Sequence, residues 1–236
     1  RVRRQRQMCI RDRNKRMLEK IEAVIFDLDG TLVDSMWVWN ELDLEFLGKY
    51  GYFPTEEMQR KIEGMSFTET ALFFRDYYHL EESVEEIQAT WNRMAEEKYR
   101  SLVQLKPGAR EFLEVLKEKK IPAGIASRNS RALIDAVLEG QKINGYFSSI
   151  RTGCEVGKGK PEPDIYLKVA EDLAAAPEHC LVFEDVPMGI LAGKRAGMTV
   201  CAVEDDFSAP QREKKRAMAD HYIETYRELL KEMTEG

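Results

Sequence analysis

Short apolar runs alternate with amphipathic segments along most of the chain. The runs predict strands at 22–27 (EAVIFD), 121–127 (IPAGIAS), 148–152, 180–184 (CLVFE), 199–203 (TVCAV) and 221–224. Several are apolar at consecutive positions, the pattern of strands covered on both faces. Between them lie helical patterns. One opens at Pro107 with Phe112, Leu113, Val115 and Leu116, and another at Pro163-Asp164 with Ile165, Leu167 and Val169. A third begins at Gly189 and closes at Gly197, and a fourth enters at Arg131. Alternating strands and helices imply parallel pairing with crossovers, hence a doubly wound, Rossmann-like α/β sheet. The stretch 35–103 breaks the alternation. It holds four helical patterns, at 36–50, 55–62, 66–79 and 83–102, and no strand, which predicts an inserted all-helical unit. Ser66-x-x-Glu69 and Ser83-x-x-Glu86 have capping-box spacing and mark two of its helix starts. Its aromatics, Trp37, Trp39, Phe46, Phe73, Phe74, Tyr77, Tyr78 and Trp91, are expected to form the core of that unit.

Composition agrees with a globular chain: of 236 residues, 43% are hydrophobic and 33% charged, and the mean hydropathy is -0.48. No run approaches the roughly 18 apolar residues of a membrane span, so a cytoplasmic protein is expected. Cys9, Cys154, Cys180 and Cys201 form no C-x-x-C pair and no Cys/His set with zinc-site spacing, so they read as reduced thiols. The net charge of -6 argues against general nucleic-acid binding, which needs clustered Lys and Arg. That charge is uneven, since residues 1–16 hold +7 and leave -13 on residues 17–236. The basic stretch lacks the apolar segment of a secretory signal and the serines of a transit peptide. QMCIRDR reads like translated adapter or vector DNA and Met17 like a natural start, so 1–16 is expected to be a non-native extension. The expected organisation is an α/β core at 17–34 and 104–236 interrupted by a helical cap at 35–103, with hinges at 32–35 and 103–107. Nothing in the sequence asks for more than a monomer.

The densest chemistry is VIFDLDGT, where a strand delivers Asp27 and Asp29 just as Gly30 and Thr31 mark a turn. Ligands of open α/β sheets bind at the carboxyl ends of strands, so both acids face the expected crevice. Alone they could be a strand-ending and a turn aspartate. Glu184 and Asp185 follow a second apolar run, and an all-oxygen set of Asp27, Asp29, Glu184 and Asp185 suits hard Mg²⁺. Lys160 in GKPEPD could be a solvated loop lysine, with Lys158 as its rival, and Ser127 and Asn129 could cap the helix at Arg131. Gly189 permits a close backbone approach or merely suits a turn.

Taken in order, DLDGT, Ser127 after IPAGIA, Lys160 in GKPEPD and FEDVPMGI resemble the four motifs of the haloacid dehalogenase superfamily, over about residues 20–225. The resemblance implies that Asp27 is the nucleophile that takes a phosphoryl group and Asp29 the general acid and base. It further implies that Ser127 and Lys160 bind the phosphoryl oxygens, and that Asp27, the Asp29 backbone carbonyl and Asp185 hold Mg²⁺. Arg128 is a further candidate for phosphate contact. Dehalogenases of the family lack the second aspartate, which is present here, so dehalogenation is not expected. The chain is most similar to the β-phosphoglucomutase-like branch. The mutases of that branch carry a cap His and a cap Arg at positions that here correspond to Trp39 and Phe67. A Mg²⁺-dependent phosphatase of small phosphomonoesters, sugar phosphates foremost, is therefore expected, with Trp39, Met65 and Phe67 as specificity residues. A sugar phosphomutase and a non-enzymatic phospho-acceptor module are the competing readings.

Overall fold

Ala23–Phe26, four consecutive residues without exposed surface, form the strand β1 at the centre of a six-stranded sheet. The structure, a computed structural model, describes residues 20–234, and the basic stretch 1–16 lies outside the described residues. On one side β1 pairs in parallel with β4 (Ala123–Ser127), which pairs with β5 (Phe147–Thr152). On the other it pairs with β6 (Cys180–Glu184), followed by β7 (Thr199–Val203) and β8 (His221–Ile223). All five pairings are parallel, as the doubly wound expectation requires.

A strand this deep must be apolar on both faces, because successive side chains alternate across the sheet. Val24 and Phe26 enter one core, where Phe26 stacks on Phe183 at 5.2 Å and meets Phe112 edge-on at 6.2 Å. Ala23 and Ile25 enter the other, with Ile165, Val169 and Ile190. Helices cover both faces: α5 (Ala109–Glu118) and α6 (Arg131–Gly140) supply the first core, and α8 (Asp164–Asp172) and α9 (Pro187–Arg195) the second. Short α7 (Gly153–Val156), α10 (Arg212–Met218) and α11 (Arg227–Thr234) complete the set and have no counterpart in the expected helices.

The helical insert leaves through β2 (Val33–Asp34) and returns through β3 (Gln104–Leu105), an antiparallel two-residue pair too short to register in the hydrophobic pattern. Between them run α1 (Met36–Gly48), α2 (Glu56–Ile62), α3 (Phe67–Tyr78) and α4 (Val84–Ser101). Both expected capping boxes are formed, Ser66 with Glu69 and Ser83 with Glu86. Phe46, Phe74 and Trp91 meet at 5.1 to 6.3 Å in the core of the insert, while Tyr77 stays exposed. Two boundary expectations are corrected. Gly189 is the third residue of α9, which starts at Pro187, and α6 is capped by Ser130 accepting from the Leu133 N–H, not by Ser127 or Asn129. No helix among the described residues is long and apolar enough to cross a membrane. Cys180 and Cys201 are buried free thiols, and Cys154 is free and exposed.

The outer strand is tied down electrostatically. Arg151 on β5 donates to both oxygens of Asp172 on α8, at 2.6 and 3.0 Å, and Ser149 adds a bond at 2.7 Å. The Arg151 bond leads in lowering the Asp172 carboxyl to about 2. A carboxyl bound more tightly as its anion in the folded state stabilises above its unfolded pKa, near 3.8, and that contribution is lost as pH falls from about 4 to about 2. Asp172→Asn should therefore lower the thermal midpoint at pH 7, with the difference from the parent chain vanishing toward pH 2. A difference that does not shrink between pH 5 and pH 2.5 would exclude this ion pair as its source.

Candidate active site

Three adjacent strands end in the residues that matter. Asp27 follows β1, Ser127 closes β4, and Glu184 with Asp185 closes β6, so the crevice lies at the carboxyl edge where the chain winds off in opposite directions. All are at least nine-tenths buried. Lys160, from the loop between α7 and α8, reaches into this cluster, whereas Lys158 is exposed. The Lys160 ammonium donates to Asp27 Oδ1 at 2.6 Å, Glu184 Oε1 at 2.5 Å and the Ala126 carbonyl at 3.3 Å, and it lies 5.0 Å from the Tyr166 ring.

Burial pushes Asp27 up to about 7, against the pull of Lys160 and with further upward push from Glu184. For Lys160 burial works downward, but Asp27 and Glu184 outweigh it and raise the ammonium to about 12. Burial, with Glu184 and Asp27 beside it, holds Asp185 well above the usual carboxylate range.

Asp27, Glu184 and Asp185 each offer a carboxylate oxygen within 4.8 Å of the others. The two Glu184 oxygens are already occupied, by Lys160, the Tyr166 hydroxyl at 2.8 Å, and the Asp185 and Val186 N–H groups at 2.9 and 3.2 Å. Asp185 differs. Its Oδ1 accepts from Thr31 at 2.9 Å, while its Oδ2 is buried with no hydrogen-bond donor among the described residues. An orphaned buried carboxylate oxygen beside Asp27, among oxygen donors only, fits a hard divalent cation such as Mg²⁺. Gly30, at φ +78°, crosses so close to Asp185 that a Cβ would clash with its carboxylate.

Asp29 stands apart from that cluster. Its Oδ1 accepts from the Ser35 hydroxyl at 2.6 Å and from the Tyr99 hydroxyl, and its Oδ2 from the Asn129 amide at 3.0 Å. Ser35 and Tyr99 belong to the insert, so the second aspartate is held from across the crevice. Sequence reasoning missed this set. Asn129 was visible two residues after Ser127 but read as a helix cap, whereas nothing local marks Tyr99, 70 positions from its partner.

Beside Asp29 a cleft, partly open to solvent, separates insert and core. Trp39, Met65 and Phe67 all line it, with the Trp39 and Phe67 rings 6.2 Å apart, and Asp43, Trp91, Arg128 and Asn129 complete the polar part of the wall. Arg128 donates to the Ile62 carbonyl at 3.3 Å and faces this cleft; no bond joins it to Asp27 or Lys160.

A family model described as haloacid dehalogenase-like hydrolase matches residues 24–203. The phosphorylated carbohydrates phosphatase of Thermotoga maritima is 35% identical over 181 residues, covering 75% of this chain and 82% of that protein. Hexitol phosphatase A of Escherichia coli is 32% identical over 196 residues, 81% and 87% of the two chains. The crystal structure of a beta-phosphoglucomutase from Clostridium difficile superposes with a TM-score of 0.76 at 22% identity, covering 91% of this chain and 98% of its own, which shows the shared fold.

Gly189 packs so tightly on Glu184 that any Cβ there would overlap the carboxylate that holds Lys160. Gly189→Ala should cost about 1 to 3 kcal/mol as an overpacking substitution, a fall in melting midpoint of several degrees. An unchanged midpoint in differential scanning calorimetry would show that the contact has slack.

Proposed function

Because the chain belongs to the haloacid dehalogenase-like hydrolases, in their β-phosphoglucomutase-like phosphatase branch, we propose that it is a Mg²⁺-dependent phosphatase working through an aspartyl-phosphate on Asp27. Its substrates are small phosphomonoesters, sugar phosphates foremost. One observation carries the reading: two buried aspartates two residues apart are held in opposite ways, Asp27 by an ammonium and Asp29 by three neutral donors.

In the first step an Asp27 oxygen attacks phosphorus in line, the bond from phosphorus to the ester oxygen breaks, and Asp29 gives its proton to the departing alcohol. In the second, Asp29 takes a proton from water as that water attacks the aspartyl-phosphate, which releases inorganic phosphate and restores Asp27. Lys160 and Ser127 hold the equatorial phosphoryl oxygens. Glu184, with both oxygens engaged, keeps Lys160 in place. Asp27, Asp185 and the Asp29 backbone carbonyl are the groups that would hold Mg²⁺, which when bound offsets the repulsion between carboxylate and phosphate, about 4 kcal/mol per unit pair at 4 Å and an effective dielectric of 20. The insert, 35–103, acts as a cap that excludes water while the phosphoryl group is in transit.

The names of the relatives, a phosphorylated carbohydrates phosphatase and a hexitol phosphatase, support sugar phosphates as the substrate class. A mutase needs a cationic grip on a second phosphate. The two positions expected to provide it hold the rings of Trp39 and Phe67, which favours hydrolysis. A bare phospho-acceptor module has no use for a cleft enclosed by an insert.

Asp27→Asn should abolish phosphate release from every phosphomonoester while the circular dichroism melt stays cooperative. Turnover in that variant would overturn the nucleophile assignment. Tyr99→Phe, which takes one donor from Asp29, should lower kcat about tenfold with KM nearly unchanged, the size of one hydrogen bond to a charged group. A change confined to KM would move Tyr99 from orienting Asp29 to binding substrate.

A further inference from the structure

Trp39 and Asp43 lie one turn apart on α1 and both line the cleft that contains Asp29. Asp43 is only 8% exposed, yet among the described residues no donor is bonded to its carboxylate, and its one charged neighbour is Arg128. This is an odd place to leave a carboxylate. Buried polar groups are nearly always hydrogen-bonded, and one left unpaired destabilises the fold unless something else supplies the donor. Burial accordingly pushes Asp43 up to about 7 even with Arg128 nearby.

A second unmet group stands in the same wall. Trp91 is 2% exposed and its indole Nε1–H is buried without an acceptor. The indole N–H has no surface open to the cleft, so what the cleft offers a ligand is the Asp43 acceptor together with the remaining N–H groups of Arg128. Around them are the apolar surfaces of Trp39, Ile62, Met65 and Phe67. A hydroxyl both donates and accepts, and a carbon chain bearing several hydroxyls also presents C–H faces to aromatic walls. The charge balance narrows the ligand further. Asp43, where ionised, offsets the single guanidinium of the cleft, so no free positive charge remains there to hold a leaving group with an anion of its own.

We propose that Asp43 selects the alcohol part of the substrate, accepting hydrogen bonds from an uncharged, polyhydroxylated leaving group of the sugar or alditol kind and excluding leaving groups that carry a second anion. The assignment rests on the phosphatase reading above. Asp29 delivers its proton at one end of the cleft, and the hydroxylated remainder of the alcohol extends from there to Asp43. Asp43 takes no part in the chemistry of phosphorus.

Three probes test this on the whole chain with Mg²⁺: sorbitol 6-phosphate, which is hydroxylated and neutral beyond its phosphate; p-nitrophenyl phosphate, which has no hydroxyls; and 2-phosphoglycolate, which carries a second anion. The parent chain should prefer sorbitol 6-phosphate to 2-phosphoglycolate in kcat/KM. In Asp43→Asn and Asp43→Leu the ratio of kcat/KM for sorbitol 6-phosphate over the aryl phosphate should fall at least tenfold, the loss expected when a charged hydrogen-bond partner is removed. Most of the fall should lie in KM. Aryl phosphate turnover reports that each variant is folded. Parent activity on the aryl phosphate with a ratio unchanged in both variants, with equal losses on both substrates, or with a preference for 2-phosphoglycolate overturns the Asp43 assignment alone. No phosphate release from any probe by the parent chain overturns the phosphatase reading and this assignment with it.

Discussion

One ammonium group, the Nζ of Lys160, makes the crevice physically tenable. Asp27, Glu184 and Asp185 bring carboxylate oxygens within 4.8 Å of one another in a region with almost no solvent. Each unit pair at such a distance repels by about 4 kcal/mol at an effective dielectric of 20, and desolvation adds to that. Lys160 bonds to two of the three acids at once, and its ammonium lies 5.0 Å from the ring of Tyr166, whose hydroxyl binds the same Glu184 oxygen. Much else follows from keeping that contact. Glu184 must point inward, so α9 approaches with Gly189 at the point of contact, and Asp185 must turn toward Thr31 over Gly30, which has no side chain to obstruct it. The compensation is incomplete, since Asp185 keeps one oxygen without a donor among the described residues. In the proposed mechanism a divalent cation would meet that oxygen.

The second aspartate is handled by different physics. Asp29 meets only neutral donors, the hydroxyls of Ser35 and Tyr99 and the amide of Asn129. An ammonium beside it would favour the anion, whereas in the proposed mechanism this residue also has to carry a proton. Neutral dipoles fix the direction of the carboxyl without a full opposing charge. The two acids are separated by one residue, but β1 sends Asp27 toward the core's lysine while the turn after it sends Asp29 toward the insert. Their division of labour therefore follows from strand geometry, because the pairing ends between them.

How far the sequence foretold this depends on the range of each interaction. The strands were legible because burial on both faces leaves continuous apolar runs such as AVIF and CLVFE, and the two capping boxes because their partners are three residues apart. The pair of β2 and β3 was not, since two residues carry no periodicity. The start of α9 was misread for a related reason: Gly189 resembles a helix boundary in sequence, yet its glycine is required by a carboxylate across the turn and not by the helix end. At the site, Asp27, Lys160 and Asp185 sit in motif-like strings, while Tyr99, Tyr166 and Asp43 are ordinary helical residues by pattern. Only the topology reveals them, by bringing α4, α8 and α1 to the same crevice.

Helix α4 joins the wall of the cleft to the Asp29 carboxyl. It is 18 residues long, and it places Trp91 in the wall of the cleft and Tyr99 on Asp29. These residues are eight positions apart, about 12 Å along a rigid rod. A rigid-body shift of α4 would be felt at both Trp91 and Tyr99, because no glycine or proline lies between them to absorb it. Ser35, at the entry to the insert, is subject to the same movement, whereas Asn129 stays with the core. Two of the three donors that orient the Asp29 carboxyl therefore come from the insert. In the proposed mechanism the group that handles protons is oriented in part by the same element that shuts out water, while Asp27 is carried by the sheet.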